Sequence, residues 1–263
     1  MKNIFVAGLA FVLVAPASAL AQSPFDGTWK ADVSSAQMGK KPDVYMLMNG
    51  TYSCKSCVPV VSVKADGIDH PVTGHPYYDS VAVKVVDDRT VQMTRKKNGK
   101  VVDTSKDTVS ADGKTLTFEF SDSSNTNAAP VVGKGTQTRV AAGLAGSHAI
   151  SGSWRTTSYQ TVSDNGLTTT FKTAGDTLTM TTPTGQKYTA KMDGAEAPFT
   201  GDPGLTMVSV KRMGSNRIEE TDKRGSKVVG VQTMTVSADG KKMHVVYQNK
   251  LQGTSMSYDM NKQ

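Results

Sequence analysis

Val109-Ser110-Ala111-Asp112-Gly113-Lys114 returns unchanged as Val236-Ser237-Ala238-Asp239-Gly240-Lys241, closing a repeat in which residues 64–114 recur as 191–241, offset by 127. Inside the repeat Asp66-Gly67 matches Asp193-Gly194, Pro71 matches Pro198, and Thr73-Gly74 matches Thr200-Gly201. What persists is turn glycines, alternating valines and surface lysines, residues that build architecture and carry little chemistry. A structural unit present twice is the first expectation.

Within each copy the apolar period is two. Val81, Val83 and Val85 share one face and Ala82 and Lys84 the other, as Val208 and Val210 do against Ser209 and Lys211. Leu116, Phe118 and Phe120 alternate with Thr117 and Glu119, and Met243, Val245 and Tyr247 are their counterparts. Such alternation marks half-buried strands. Asp87-Asp88, Asn98-Gly99, Asp112-Gly113, Asp193-Gly194, Arg224-Gly225 and Asp239-Gly240 punctuate the runs as turn signals. The pattern predicts an all-β protein of two tandem antiparallel meander β-barrels, with about eight or nine strands each.

The copies also open alike, with Phe25-Asp26-Gly27-Thr28-Trp29-Lys30 and Ile150-Ser151-Gly152-Ser153-Trp154-Arg155, which contain both tryptophans of the chain. Gly-X-Trp at the head of a meander of about eight strands resembles the opening of lipocalins and the wider calycin group. The resemblance implies that the tryptophan closes one barrel end beneath a basic residue from near the last strand. Trp29 would then lie under Arg139, at the end of Thr136-Gln137-Thr138-Arg139. The second copy departs from the pattern, since residues 253–260 hold no arginine and only Lys262 is at hand to close over Trp154. A core plug stacked on a cation, contributing about 0.5–2 kcal/mol, is the expected role of both rings. The chain also resembles secreted bacterial tandem-repeat proteins with a Tyr-X-Cys-X-X-Cys-X-Pro segment, here from Tyr52 to Pro59; this likeness implies no activity.

The N-terminus reads as a secretory signal peptide, residues 1–21. Lys2 supplies the charge, residues 4–14 are small or apolar, and Ala19-Leu20-Ala21 precedes the expected cleavage before Gln22. No later run approaches the roughly 18 apolar residues of a membrane helix, so the expected location is periplasmic or secreted. Residues 22–145 form the expected first barrel and 146–263 the second, joined by the small residues of 140–149. One larger barrel shared by both copies is the alternative. The mature chain carries a net charge of +6, its lysines scattered or at turns without interleaved aromatics, which argues against a nucleic-acid partner.

Cys54 and Cys57 are absent from the second copy. A disulfide suits an oxidising compartment. A thiol oxidoreductase needs a helix after the first cysteine, where Val58-Pro59-Val60-Val61 reads as strand. A Cu(I) site would recruit Met46 and Met48, which share a strand face. His70 and His75 lie beside Asp69 and Asp79, but the second copy has Ala197 and Asp202 in their places, so they read as exposed loop residues. No nucleophile elbow or phosphate loop is present, and Glu219-Glu220 reads as an exposed strand face. No catalytic, metal or cofactor residues are assigned. The expected function is non-enzymatic binding of a small apolar or amphipathic ligand in a barrel. The alternatives are a structural or interaction protein of the envelope with filled barrels, and the Cu(I) or thiol role at Cys54 and Cys57.

Overall fold

The structure, a computed structural model, describes residues 23–125 and 129–263, so the expected signal peptide lies outside the described residues. The first half contributes β1 (Gly27–Met38), β2 (Asp43–Met48), β3 (Thr51–Cys54), β4 (Val61–Lys64), β5 (Asp66–Pro71), β6 (Ser80–Asp87), β7 (Thr90–Lys97), β8 (Lys100–Val109), β9 (Thr115–Asp122) and β10 (Val131–Ala142). The second half contributes β11 (Gly152–Val162), a helical turn α1 (Asp164–Leu167), β12 (Thr168–Ala174), β13 (Thr177–Thr181), β14 (Lys187–Lys191), β15 (Asp193–Thr200), β16 (Met207–Arg212), β17 (Arg217–Arg224), β18 (Lys227–Val236), β19 (Lys242–Asn249) and β20 (Thr254–Lys262). The fold is all-β, in two antiparallel ten-stranded sheets, one closed and one nearly closed. Ten strands exceed the expected eight or nine because four-residue strands such as β3 and β4 are too short for alternation to show. No helix among the described residues is long and apolar enough to cross a membrane.

The sheets do not divide where the copies do. β1 pairs with β12 and β20 and completes the closed barrel with β13–β19, while β11 pairs with β10 and β2 in the other sheet. Each copy thus lends its opening strand to the other. The nearly closed barrel is the continuous segment 43–162, inserted between β1 and β12 of the closed one. The expected boundary near Gly146 falls inside the β10–β11 hairpin, so barrels of residues 22–145 and 146–263 are corrected to 43–162 and 27–38 plus 168–262.

This exchange also corrects the tryptophan pairing. Arg139 stacks on Trp154 at 3.9 Å, and Lys262 lies 5.2 Å from the centre of Trp29. The slot beside β10, which Trp29 was expected to fill, is taken by Trp154, whose register partner is Arg139. Both rings are fully buried and donate equivalent bonds, Trp29 Nε1 to the Phe25 carbonyl and Trp154 Nε1 to the Ile150 carbonyl, each 2.7 Å. The glycine of Gly-X-Trp has a steric cause. A Cβ on Gly27 would stand 2.7 Å from Lys262 Cε, and one on Gly152 2.8 Å from Arg139 Nη1.

Asp66-Gly67 and Asp193-Gly194 sit within strands and shift the register there, so Asp193-Gly194 is a bulge, not a hairpin turn. The aspartates accept from Ile68 N at 3.0 Å and Ala195 N at 2.8 Å. The barrels then part ways. β14 pairs with β15 through Lys187–Thr200 and Tyr188–Phe199, whereas β4 and β5 are the free edges of the other sheet. At the corresponding corner Pro59 replaces Gln186, whose N–H donates to Thr182 Oγ1 and whose side chain bonds Asp202.

Cys54 and Cys57 form a disulfide at this open seam. Tyr45 is the register partner of Cys54, while Met46 and Met48 face Ser53 and Thr51. Cross-strand partners share a face, so the methionines point away from Cys54 and do not converge with it on a copper ion. A closed loop this short contributes no more than about 2 kcal/mol by chain entropy. The double serine variant is therefore expected to keep both barrels, with a melting shift that differential scanning calorimetry would register as a few degrees.

Candidate functional site

The closed barrel is lined by the inward residues of alternating strands. On β17 these are Ile218, Glu220 and Asp222, which are 0, 2 and 5 % exposed. The reading of Glu219-Glu220 as an exposed face is corrected: Glu220 is buried. The repeat held the signal, because at the offset of 127 Ile218, Glu220 and Asp222 match Val91, Met93 and Arg95. Val91 and Met93 are core residues, and the pleat carries the same phase into β17.

Glu220 accepts from Gln232 Nε2 at 2.7 Å, from the Tyr188 hydroxyl, and from the side chain of Asp222. Burial raises both carboxyls. Asp222 is pushed up to about 9, by desolvation first and then by the neighbouring Glu220 charge. Asp222 therefore holds its proton at neutral pH and shares it with Glu220. No ion pair among the described residues involves either carboxylate. Asp222 Oδ1 is buried with no hydrogen-bond partner among the described residues.

Beside this group lies a cavity of about 200 Å³ whose apolar walls include Phe171, Met180, Phe199 and Met234. A second cavity, about 370 Å³, opens between β1, β11 and β20, against Ala31, Val33, Phe120, Tyr159 and Met256. The two share Thr169, Gln232, Tyr258 and Met260 as walls. The β1–β20 register shifts between Asp32 and Gln37, so the exchanged strand bulges at the outer cavity.

The loop carrying the histidines meets the mouth of the closed barrel. The Tyr77 hydroxyl donates to Asp202 Oδ1 at 3.0 Å, and Gln186 Nε2 donates to Asp202 Oδ2 at 2.8 Å. Tyr77 lies against Gly204, its own counterpart in the repeat, where a Cβ would stand 2.1 Å from the hydroxyl oxygen. His75 is half-buried and stacks on Tyr78 at 3.9 Å, so it is not the exposed loop residue expected. Burial and then the charges of Arg95, Arg224 and Lys97 bring its pKa down to about 4. His70 instead bonds Asp66 at 2.8 Å, and no cluster of three or more metal-ligating side chains occurs among the described residues.

In the other barrel an arginine enters the lumen where the closed barrel has an acid. Arg95, at the position of Asp222, pairs with Asp103, and buried Asp107 is pushed up to about 7 by desolvation against the pull of Arg95. Asp43 accepts from Gln137 Nε2 at 3.0 Å. Leu47, Tyr52, Val83, Met93 and Leu116 fill the core of this sheet.

The buried acids set a pH dependence. An acid whose folded pKa lies above its unfolded value keeps a proton that the unfolded chain gives up, so its stabilising contribution is present below pH about 4 and is lost as pH rises towards the folded value. For Asp222 that window runs from 3.8 to about 9, and for Asp107 from 3.8 to about 7. Asp222→Asn is expected to flatten the fall in melting temperature of the closed barrel between pH 5 and 8, measured by calorimetry. An unchanged slope would contradict the protonated Asp222.

No family model matches the chain, and no curated protein matches it in sequence.

Proposed function

We propose that the protein is a lipocalin-like, non-enzymatic binding module of the periplasm or cell exterior, which holds one small amphipathic ligand in its closed barrel. The observation that carries this reading is the pair of cavities sharing walls, with buried polar groups at the inner end and apolar side chains at the outer. The outer cavity alone is within the size of ordinary ligand pockets, about 300–1,000 Å³. Kinship with lipocalins rests on Gly-X-Trp and the cation over each ring.

The alternative, a barrel filled by its own side chains, fits the other sheet, whose lumen holds the Arg95–Asp103 pair and a packed core. In this proposal that barrel is the scaffold, and its Phe120 and Tyr159 form one wall of the outer cavity.

Native mass spectrometry of protein purified from its own envelope is the test. The expected result is the mature mass plus one amphiphile-sized adduct, lost on denaturation. Repeated recovery of the bare mass, together with no binding of added amphiphiles, would overturn the reading.

A further inference from the structure

Resting on the reading of the closed barrel as a ligand site, we propose that the head group it selects is a cation of the alkylammonium class, seated against Asp222 and Glu220. Two carboxyls face the inner cavity, and among the described residues no lysine, arginine or histidine forms an ion pair with either. The groups packed round them are themselves acidic or neutral: Tyr188 from β14, Gln232 from β18, Tyr247 from β19 and Tyr258 from β20, with Asp202 near the mouth.

The hydrogen bonds of the cluster stop one short. Tyr188 and Gln232 donate to Glu220, and on the neighbouring Asp222, 5 % exposed and on the cavity wall, Oδ1 is buried with no hydrogen-bond partner among the described residues. Burying a charge or an unpaired acceptor is unfavourable unless a partner arrives. An ammonium brings three donors and a positive charge to two carboxyls. An anionic head would set a negative charge against two buried carboxyls. A neutral hydroxyl could bond Oδ1 but would bring no positive charge to the carboxyls.

The proton balance follows from the pair. An ammonium that binds beside protonated Asp222 favours its ionisation, so the carboxyl proton leaves to solvent, and the site then holds one or more cation–carboxylate contacts with no other bond changed. The alkyl tail runs towards Tyr258, Met260 and Met256, which line the outer cavity.

The experiment uses the full mature chain, stripped of any bound ligand, and three probes with one tail: octylamine, octanol and octanoate. Isothermal titration calorimetry at pH 7 in two buffers of different ionisation enthalpy is expected to give octylamine affinity at least tenfold above octanol, no saturable octanoate binding, and proton release with the amine. Glu220→Gln and Asp222→Asn should each lower octylamine affinity about tenfold or more and leave octanol within about twofold. Equal binding of all three probes would overturn the cationic head and leave the barrel as an amphiphile site. Binding of none would overturn both. Should Asp222→Asn fail to fold, the probe series on the natural chain and the Glu220→Gln variant decide the matter alone.

Discussion

A chain beginning at Asp43 is expected to keep the nearly closed barrel and to lose the closed one. β1 supplies a full wall of the closed barrel, pairing with β12 on one side and β20 on the other. Its removal leaves two edges without partners and takes away Phe25 and Trp29, both fully buried. Loss of a core aromatic alone costs about 3–5 kcal/mol, a large share of the 5–15 kcal/mol that holds a domain together. The other barrel, residues 43–162, keeps every strand. In this truncated chain Trp154 is the only tryptophan, so its fluorescence reports that barrel alone. The expected result is buried-tryptophan emission with a cooperative melt, the loss of roughly half the dispersed amide signals in NMR spectra, and their return when a peptide of residues 23–38 is added. Exposed Trp154 emission would show that the inserted barrel needs β1 as well.

The second large effect separates the two tryptophan closures. Arg139 stacks on Trp154 and also spends its guanidinium on three carbonyls: Ser151 and Ala149 at 2.7 Å each, and Gly113. Arg139→Met removes the stack and strands those acceptors, at about 1 kcal/mol each, so a loss of about 3–4 kcal/mol is expected in urea unfolding followed by Trp154 fluorescence with Trp29→Phe as the background. Lys262 makes the looser contact, 5.2 Å from the Trp29 ring. Lys262→Met keeps an alkyl stem across Gly27 and is expected to cost about 1 kcal/mol or less. Equal losses in the two variants would contradict the asymmetry between the barrels.

Much of the architecture was legible. Period-two valines predicted β6 and β16, whose Val81, Val83, Val208 and Val210 are buried as the pattern requires. The hexapeptide became the β8–β9 and β18–β19 turns, where Asp112 and Asp239 accept from Ser110 and Ser237 at 2.6 Å. The strand exchange was not legible, for a physical reason. Both opening strands carry the same Gly-X-Trp, so either fits either slot, and duplication erases the information that would assign them. The lumen carboxylates were legible and overlooked. Hydropathy sends Glu219-Glu220 outward, but the phase inherited from Val91 and Met93 turns Glu220 inward, and position within a closed barrel outweighs the side chain's own preference. The open seam at Pro59 was a departure between the copies that only the pairing partners of β4 and β5 could reveal.

The exchanged strand is the central claim, because it makes the closed barrel and one wall of its outer cavity. Lys30 is the register partner of Asn261, and in an unexchanged fold it would take the place of Arg155 opposite Thr138. Cysteines at directly opposed strand positions lie within disulfide reach. In the monomer under mild oxidation, the Lys30→Cys/Asn261→Cys variant should form a second disulfide, seen by intact mass and peptide mapping beside Cys54–Cys57. The Lys30→Cys/Thr138→Cys variant should keep two free thiols. A bridge between positions 30 and 138, with none between 30 and 261, would show that each copy closes on its own opening strand and would contradict the exchange.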